Sequence, residues 1–206
     1  MVEKGSILQD LTIEVAGIKD AQGIYETLME NLIEVKDISK LSREEKEKLE
    51  ERGFLRKEVK KEYYEDLIKN PKSFIYVAKE PSGKIVGFAS IHKGKYDVRN
   101  FRSTLKNLYV DDEKIKDLLT GEGTEFAYLD QVSIIPAFKR KGVGKKIMEA
   151  IYKDINIPIV SFIVIKPLAN MASARWHEGV GFDLDAKCDG EYKGEFFEWW
   201  IYIKHT

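Results

Sequence analysis

Residues Val132 to Lys146, VSIIPAFKRKGVGKK, constrain the fold of this chain more than any other stretch. An apolar run stops at Pro136, which cannot donate to a central β-ladder. A short basic segment follows, and then Gly142 and Gly144 open a stretch in which Val143, Ile147, Ile151 and Ile155 recur every four residues. That spacing predicts a strand, a tight loop and an amphipathic helix. The next apolar run, Ile157 to Ile165, is rich in β-branched residues, the pattern of a strand buried on both faces. Strand, helix and strand in succession commit the second half of the chain to an α/β sheet.

The helix start also has chemical meaning. Glycines at 142 and 144 carry no Cβ to obstruct a close approach to the backbone. The first amides of a helix have no intrahelical acceptor, and the helix dipole favours negative charge there. Lys139, Arg140, Lys141 and Lys145 add cations around the same turn, so the loop reads as a pyrophosphate cradle. It is not a P-loop, which would need glycine at 139 and Ser or Thr at 146, where the chain has lysines. A dinucleotide fingerprint would need glycine at Ile147.

The rest of the chain reads as follows. Leu11 to Val15 alternates like a half-buried strand, and Asp20 is a candidate N-cap for a helix carrying Ile24, Leu28, Leu32 and Val35 on one face. Ser42 with Glu45 forms a capping-box pattern, and helix breaks near Gly53 before resuming to about Lys69. Ser73 to Lys79 and Ile85 to His92, joined by Pro81-Ser82-Gly83, predict a β-hairpin. An insertion at about 93–124 separates these strands from the strand at Glu125 to Ile135, and it holds a short helical pattern at Glu113 to Leu119. Asn170 to Glu178 predicts a short helix, and Phe196 to Ile203 a last strand.

Two motifs carry a family resemblance. The first is (Gln/Arg)-x-x-Gly-x-(Gly/Ala) after an apolar strand, with Lys139 in the first position. The second is Asn170 to Phe182, NMASARWHEGVGF, in which Asn170, Ser173, Trp176, Gly181 and Phe182 match an N-x-x-(A/S)-x-x-hydrophobic-Tyr-x-x-x-Gly-Phe pattern. Together they resemble the GNAT acetyltransferase superfamily. The resemblance implies a single α/β (α+β) domain over 1–206, with a central mixed, mostly antiparallel sheet of about seven strands. That sheet would be splayed between its fourth and fifth strands and flanked by helices.

It also implies acetyl-CoA as cosubstrate and direct transfer of the acetyl group to a primary amine of a small molecule, peptide or protein. Val132, Ser133 and Ile134 would pair with the pantetheine arm, and the pyrophosphate would lie over Arg140 to Lys145, Val143 included. Asn170 and Ser173 would contact the cofactor, Asn170 being equally a helix cap. His177 stands where many relatives have a tyrosine that protonates the departing thiolate, and an ordinary imidazole is partly protonated near neutrality. Asp130 is a candidate general base on the strand face that holds Val132 and Ile134. Tyr128 lies on the same face, where some relatives place a catalytic glutamate. A glutamate late on the fifth strand in other relatives corresponds to Ile165 here.

Composition sets the exclusions. The chain has 206 residues with 34 basic and 35 acidic side chains, so no global field for polyanions exists, and KRKGVGKK alone makes a weak nucleic-acid patch. One cysteine, Cys188 in DLDAKCDGE, and three dispersed histidines make no metal site, and none is expected. There is no apolar run of about 18 residues, and MVEKGSILQD turns polar too early for a secretory signal, so a cytoplasmic protein without membrane partners is expected. The aromatic strand Phe196 to Tyr202 suits a core or a homodimer interface. A non-catalytic coenzyme A sensor on the same fold is the alternative function.

Overall fold

The computed structural model describes residues 10–32, 38–54, 59–93, 107–121, 123–192 and 194–206. Their strands are β1 (Thr12–Val15), β2 (Ser73–Lys79), β3 (Ile85–Lys93), β4 (Asn107–Tyr109), β5 (Ala127–Ile134), β6 (Ile159–Lys166), β7 (Asp183–Tyr192) and β8 (Glu195–Lys204). The helices are α1 (Ala21–Met29), α2 (Arg43–Arg52), α3 (Lys61–Lys69), α4 (Glu113–Thr120), α5 (Val143–Asp154) and α6 (Met171–Gly179). The sheet order is β1-β2-β3-β5-β6-β8-β7-β4, which is a mixed, mostly antiparallel eight-stranded sheet. The parallel pair is β5 with β6, registered through Ala127–Ile159 and Tyr128–Val160 at the start of each strand.

The fold class is the expected one, with one strand more than the seven anticipated. Six strands are legible in the sequence, and the two that are not are β4 and β7; the acidic stretch DLDAKCDGEY of β7 carries no apolar alternation because, among its described side chains, only the small residues Ala186 and Cys188 are buried. The described part of the insertion also does more than decorate: β4 extends the sheet beside β7 through Asn107–Asp189 and Tyr109–Lys187. The insertion's residues 94–106 lie outside the described ones, as does Val35 of the first helical pattern.

The chain packs as two compact units. The first draws on residues 1–34, 55–92 and 129–156. Its core gathers Ile24 and Leu28 of α1, Tyr64 and Leu67 of α3, and Val77 and Phe88 of the β2–β3 hairpin. α5 packs on β1 and β2 with Ile147, Met148 and Ile151 fully buried; each such side chain contributes about 1.5–3 kcal/mol. Asp20 is not a side-chain cap for α1. Its carboxylate accepts from the Gly17 amide at 2.8 Å and from Lys79 Nζ at 2.7 Å, an ion pair that Glu14 completes at 2.5 Å.

The second unit draws on residues 35–54, 93–128 and 157–206. Its core joins Leu119 of α4, Val160 of β6, Ala186 and Cys188 of β7, and Ile201 and Ile203 of β8. α2 starts at the expected capping box: Ser42 Oγ accepts from the Glu45 amide at 3.3 Å, and the Ser42 amide donates to Glu45 Oε2 at 2.8 Å. The helix ends at Gly53, whose φ of 74° suits a residue without a Cβ. α2 packs on α6.

Candidate functional site

In the first unit, β5 presents two faces. Leu129, Gln131 and Ser133 are buried on one, while Asp130, Val132 and Ile134 are half-buried on the other. The Ile135 amide donates to the Val86 carbonyl of β3 at 3.0 Å. By strand alternation Ser133 directs its main chain the same way, and Val132 and Ile134 direct theirs oppositely. Only Val132 and Ile134 of the expected trio can therefore offer main-chain groups to an added ligand strand. The Ile134 carbonyl already accepts from Asn31 Nδ2 at 2.8 Å, which also donates to Ser133 Oγ at 2.9 Å. This leaves the Val132 amide and carbonyl and the Ile134 amide as the outward set.

Beyond β5 a single 3-10 turn, Pro136–Phe138, leads into the basic loop. Arg140 takes φ 60° and Gly142 φ 87°; positive φ in a non-glycine residue is uncommon and costs about 1 kcal/mol. The two turns bring the chain sharply onto α5. Gly142 is the N-cap and supplies no side-chain hydrogen bond, while its carbonyl accepts from the Lys146 amide at 3.0 Å. The amides of Val143, Gly144 and Lys145 thus have no intrahelical acceptor at the positive end of the dipole. Lys139, Arg140 and Lys145 are exposed around it, and Lys141 Nζ lies 5.3 Å from the Phe138 ring centroid. This donor set fits a pyrophosphate.

Asp130 anchors a polar cluster that sequence spacing does not reveal. Tyr63 of α3 donates to Asp130 Oδ2 at 2.9 Å, and His92 Nε2 of β3 lies 3.8 Å from the same oxygen. Ser73 Oγ of β2 sits 2.8 Å from His92 Nδ1. Beside them Tyr64 donates to Gln131 Oε1 at 2.8 Å, and burial, reinforced by the Asp130 charge, pushes its phenol pKa well up, so it stays a donor. Tyr63, Tyr64 and Ser73 carry no functional motif and lie 57 to 67 residues before Asp130.

In the second unit, Asn170 caps α6: its side chain accepts from the Ser173 amide at 3.3 Å and donates to the Phe54 carbonyl at 3.0 Å. Tyr128 packs edge-on to Phe162 at 6.2 Å between centroids. His177 departs from expectation. It is 2% exposed, among Trp176, Phe182 and Tyr202. Burial pushes its pKa down to about 4, only partly offset by the Ser173 carbonyl. That carbonyl, 2.8 Å from Nδ1, can only accept, so the ring proton sits on Nδ1. Nε2 is buried and without a partner among the described residues. A neutral imidazole with a bare Nε2 carries no spare proton for a thiolate near neutrality, unlike the partly protonated ring expected at His177. Cys188 is buried, its thiol pushed up to about 12 chiefly by burial, and it is inert as a nucleophile. No group of three or more metal-ligating side chains occurs among the described residues, and no described helix is long and apolar enough to cross a membrane.

Comparison with known proteins agrees with this fold. The Acetyltransferase (GNAT) family profile matches residues 35–182. No curated protein matches the chain significantly. Among solved structures, Arabidopsis thaliana NAA60 in complex with acetyl-CoA superposes with a TM-score of 0.57 at 11% identity, covering 94% of this chain and 97% of that one. The PaiA N-acetyltransferase of Thermoplasma acidophilum in complex with coenzyme A gives 0.54 at 14%, covering 95% and 99%. The Escherichia coli ribosomal-protein-S18-alanine N-acetyltransferase gives 0.56 at 11%, covering 95% of each chain. At such identities the likeness is one of fold.

Proposed function

This chain belongs to the acetyltransferase (GNAT) family, and from that premise we propose that it transfers the acetyl group of acetyl-CoA directly to a primary amine of a small molecule, peptide or protein. The observation that carries the reading is the uncapped start of α5, where Gly142 at φ 87° leaves three amides and four nearby cations for a pyrophosphate. Two of the similar folds are bound to acetyl-CoA or coenzyme A, and another is named for acetylating an alanine of a ribosomal protein, which supports an acyl-CoA donor and an amine acceptor.

In this reading the loop from Lys139 to Lys145 holds the pyrophosphate, and the Val132 and Ile134 main chain aligns the pantetheine arm. Asp130 takes a proton from the acceptor ammonium. The amine nitrogen bonds to the thioester carbonyl carbon, the Ile134 amide steadies the oxyanion, and the C–S bond breaks. The nitrogen sheds its second proton as the sulfur takes one, so the sum balances without a dedicated acid. Neutral His177 therefore does not obstruct the reaction.

Calorimetric titration with acetyl-CoA tests the reading, alongside a Gly142→Glu variant that adds charge and a Cβ at a positive-φ position. Saturable binding in the wild type, lost in the folded variant, together with thiol release in an amine screen, is the expected result. Binding without thiol release for any amine would leave a coenzyme A sensor. No binding by folded wild-type protein would overturn the proposal.

A further inference from the structure

The geometry points to His92 as a positioning residue for the Asp130 carboxylate: the Ser73 hydroxyl holds its ring at Nδ1, which turns an Nε2–H toward Oδ2, the oxygen that already accepts from Tyr63. The inference rests on the proposed role of Asp130 as the base. His92 occupies the end of β3 and is fully buried, so its orientation is set by protein groups. Two neutral tautomers satisfy Ser73. If Nδ1 carried the proton, a bare Nε2 lone pair would face a carboxylate oxygen 3.8 Å away in a dry setting, an unfavourable juxtaposition of two acceptors. If the Ser73 hydroxyl donates to Nδ1, the proton lies on Nε2 and faces that carboxylate, a favourable contact. The second arrangement is selected by electrostatics.

The consequence is a carboxylate hydrogen-bonded at one oxygen by Tyr63 and faced there by the His92 ring, whose Nε2 stays beyond hydrogen-bond range and has no other hydrogen-bond partner among the described residues. Tyr63 reaches Oδ2 at 2.9 Å from α3, and the His92 ring approaches from β3. Asp130 itself is 11% exposed at its side chain, so it is held but not sealed. A base must be within hydrogen-bond reach of the proton it takes, and its rotamer decides that reach. Donors to the ionised carboxylate also lower its pKa. Among the described residues, Asp130 is approached by Tyr63 from α3 and by His92 from β3 with Ser73 of β2 behind it, and its charge acts on the Tyr64 phenol.

Long-range nitrogen–proton correlation spectra of the imidazoles test the tautomer in the wild-type protein, with His92→Gln identifying the signals. The expected result is an Nε2–H ring for His92, and an Nδ1–H ring would overturn the inference. Kinetics test the role. His92→Phe should lower kcat about two- to fivefold while KM for acetyl-CoA stays within about twofold, the scale of a polar contact longer than a hydrogen bond. Its acidic limb in the pH–rate profile should move to higher pH, because the N–H dipole facing the carboxylate is gone. His92→Gln, whose amide N–H stands near the position of Nε2, should restore the limb and most of kcat. If the wild type turns over and His92→Phe keeps both rate and profile, this inference falls alone. If the wild type binds acetyl-CoA but releases no thiol with any amine, the acetyltransferase reading falls and takes the role of Asp130 with it.

Discussion

Gly87 of β3 makes a sharp test of how tightly β5 is held. A Cβ added there would overlap Ile134 Cδ1 and would lie 3.2 Å from the Ser133 carbonyl oxygen and 3.4 Å from Val143 Cγ1. The first contact is with the end of a flexible side chain, which can rotate away at about 0.5–1.5 kcal/mol. The second is backbone and must yield by a few tenths of an ångström. Overpacking of this kind costs about 1–3 kcal/mol, and the entropy lost from the unfolded chain returns about 0.4–1. Gly87→Ala should therefore lose about 1–2 kcal/mol net, or about 3–6 °C in Tm for a chain of this length. Ile134→Val deletes Cδ1, the atom that overlaps. In that background the same substitution should cost under about 0.5 kcal/mol, because only the looser Ser133 and Val143 contacts persist. Urea unfolding of the four proteins gives the coupling energy, expected at about 1 kcal/mol. A coupling below about 0.3 kcal/mol, the level of independent sites, would show that Gly87 is not what the Ile134 side chain packs against.

Two further outcomes follow from the charges. His177 has a folded pKa of about 4 against about 6.5 unfolded, so the unfolded chain binds more protons between those values, and stability present above pH 6.5 is lost as pH falls. Urea titrations at pH 7 and pH 5 should show the wild type losing about 2 kcal/mol more than His177→Phe, with thiol release by that variant unchanged at pH 7; an equal loss would mean the ring is not held neutral. Lys79→Met strands the Asp20 carboxylate, which is 7% exposed and whose pKa is held down by Lys79 and the Gly17 amide against the opposing pull of burial. It should destabilise by about 3 kcal/mol, and adding Asp20→Leu should recover most of that; a double variant no better than Lys79→Met would deny that the loss comes from the stranded charge.

What could be read in the sequence was local. The Ser42 capping box, the Pro81-Ser82-Gly83 turn and the four-residue spacing of α5 involve partners within a few residues, and each stands as expected. β7 was hidden because its inward face is only Ala186 and Cys188, while aspartates and glycine, poor strand formers, fill the rest. Its strand state comes from pairing with β8 on one side and β4 on the other, which no window over residues 183–192 contains. The same holds for His177. Motif position marked it as a donor, but Tyr202, a ring from 25 residues downstream, helps to bury and neutralise it.

Asp130 divides along the same line. Its face was legible, since side-chain direction alternates with a period of two and Asp130 must share the side of Val132 and Ile134. What makes that carboxylate more than a half-exposed acid was not, because Tyr63 stands 67 residues before it and His92 lies 38 before it on another strand. Alternation places a side chain; only the packing of α3 and the β2–β3 hairpin brings the Tyr63 donor and the His92 ring to it. Under the role proposed for Asp130, its fitness as a base is thus a property of tertiary contacts, and a relative that kept the aspartate but lost Tyr63 and His92 should keep the fold while losing the orientation of that carboxylate.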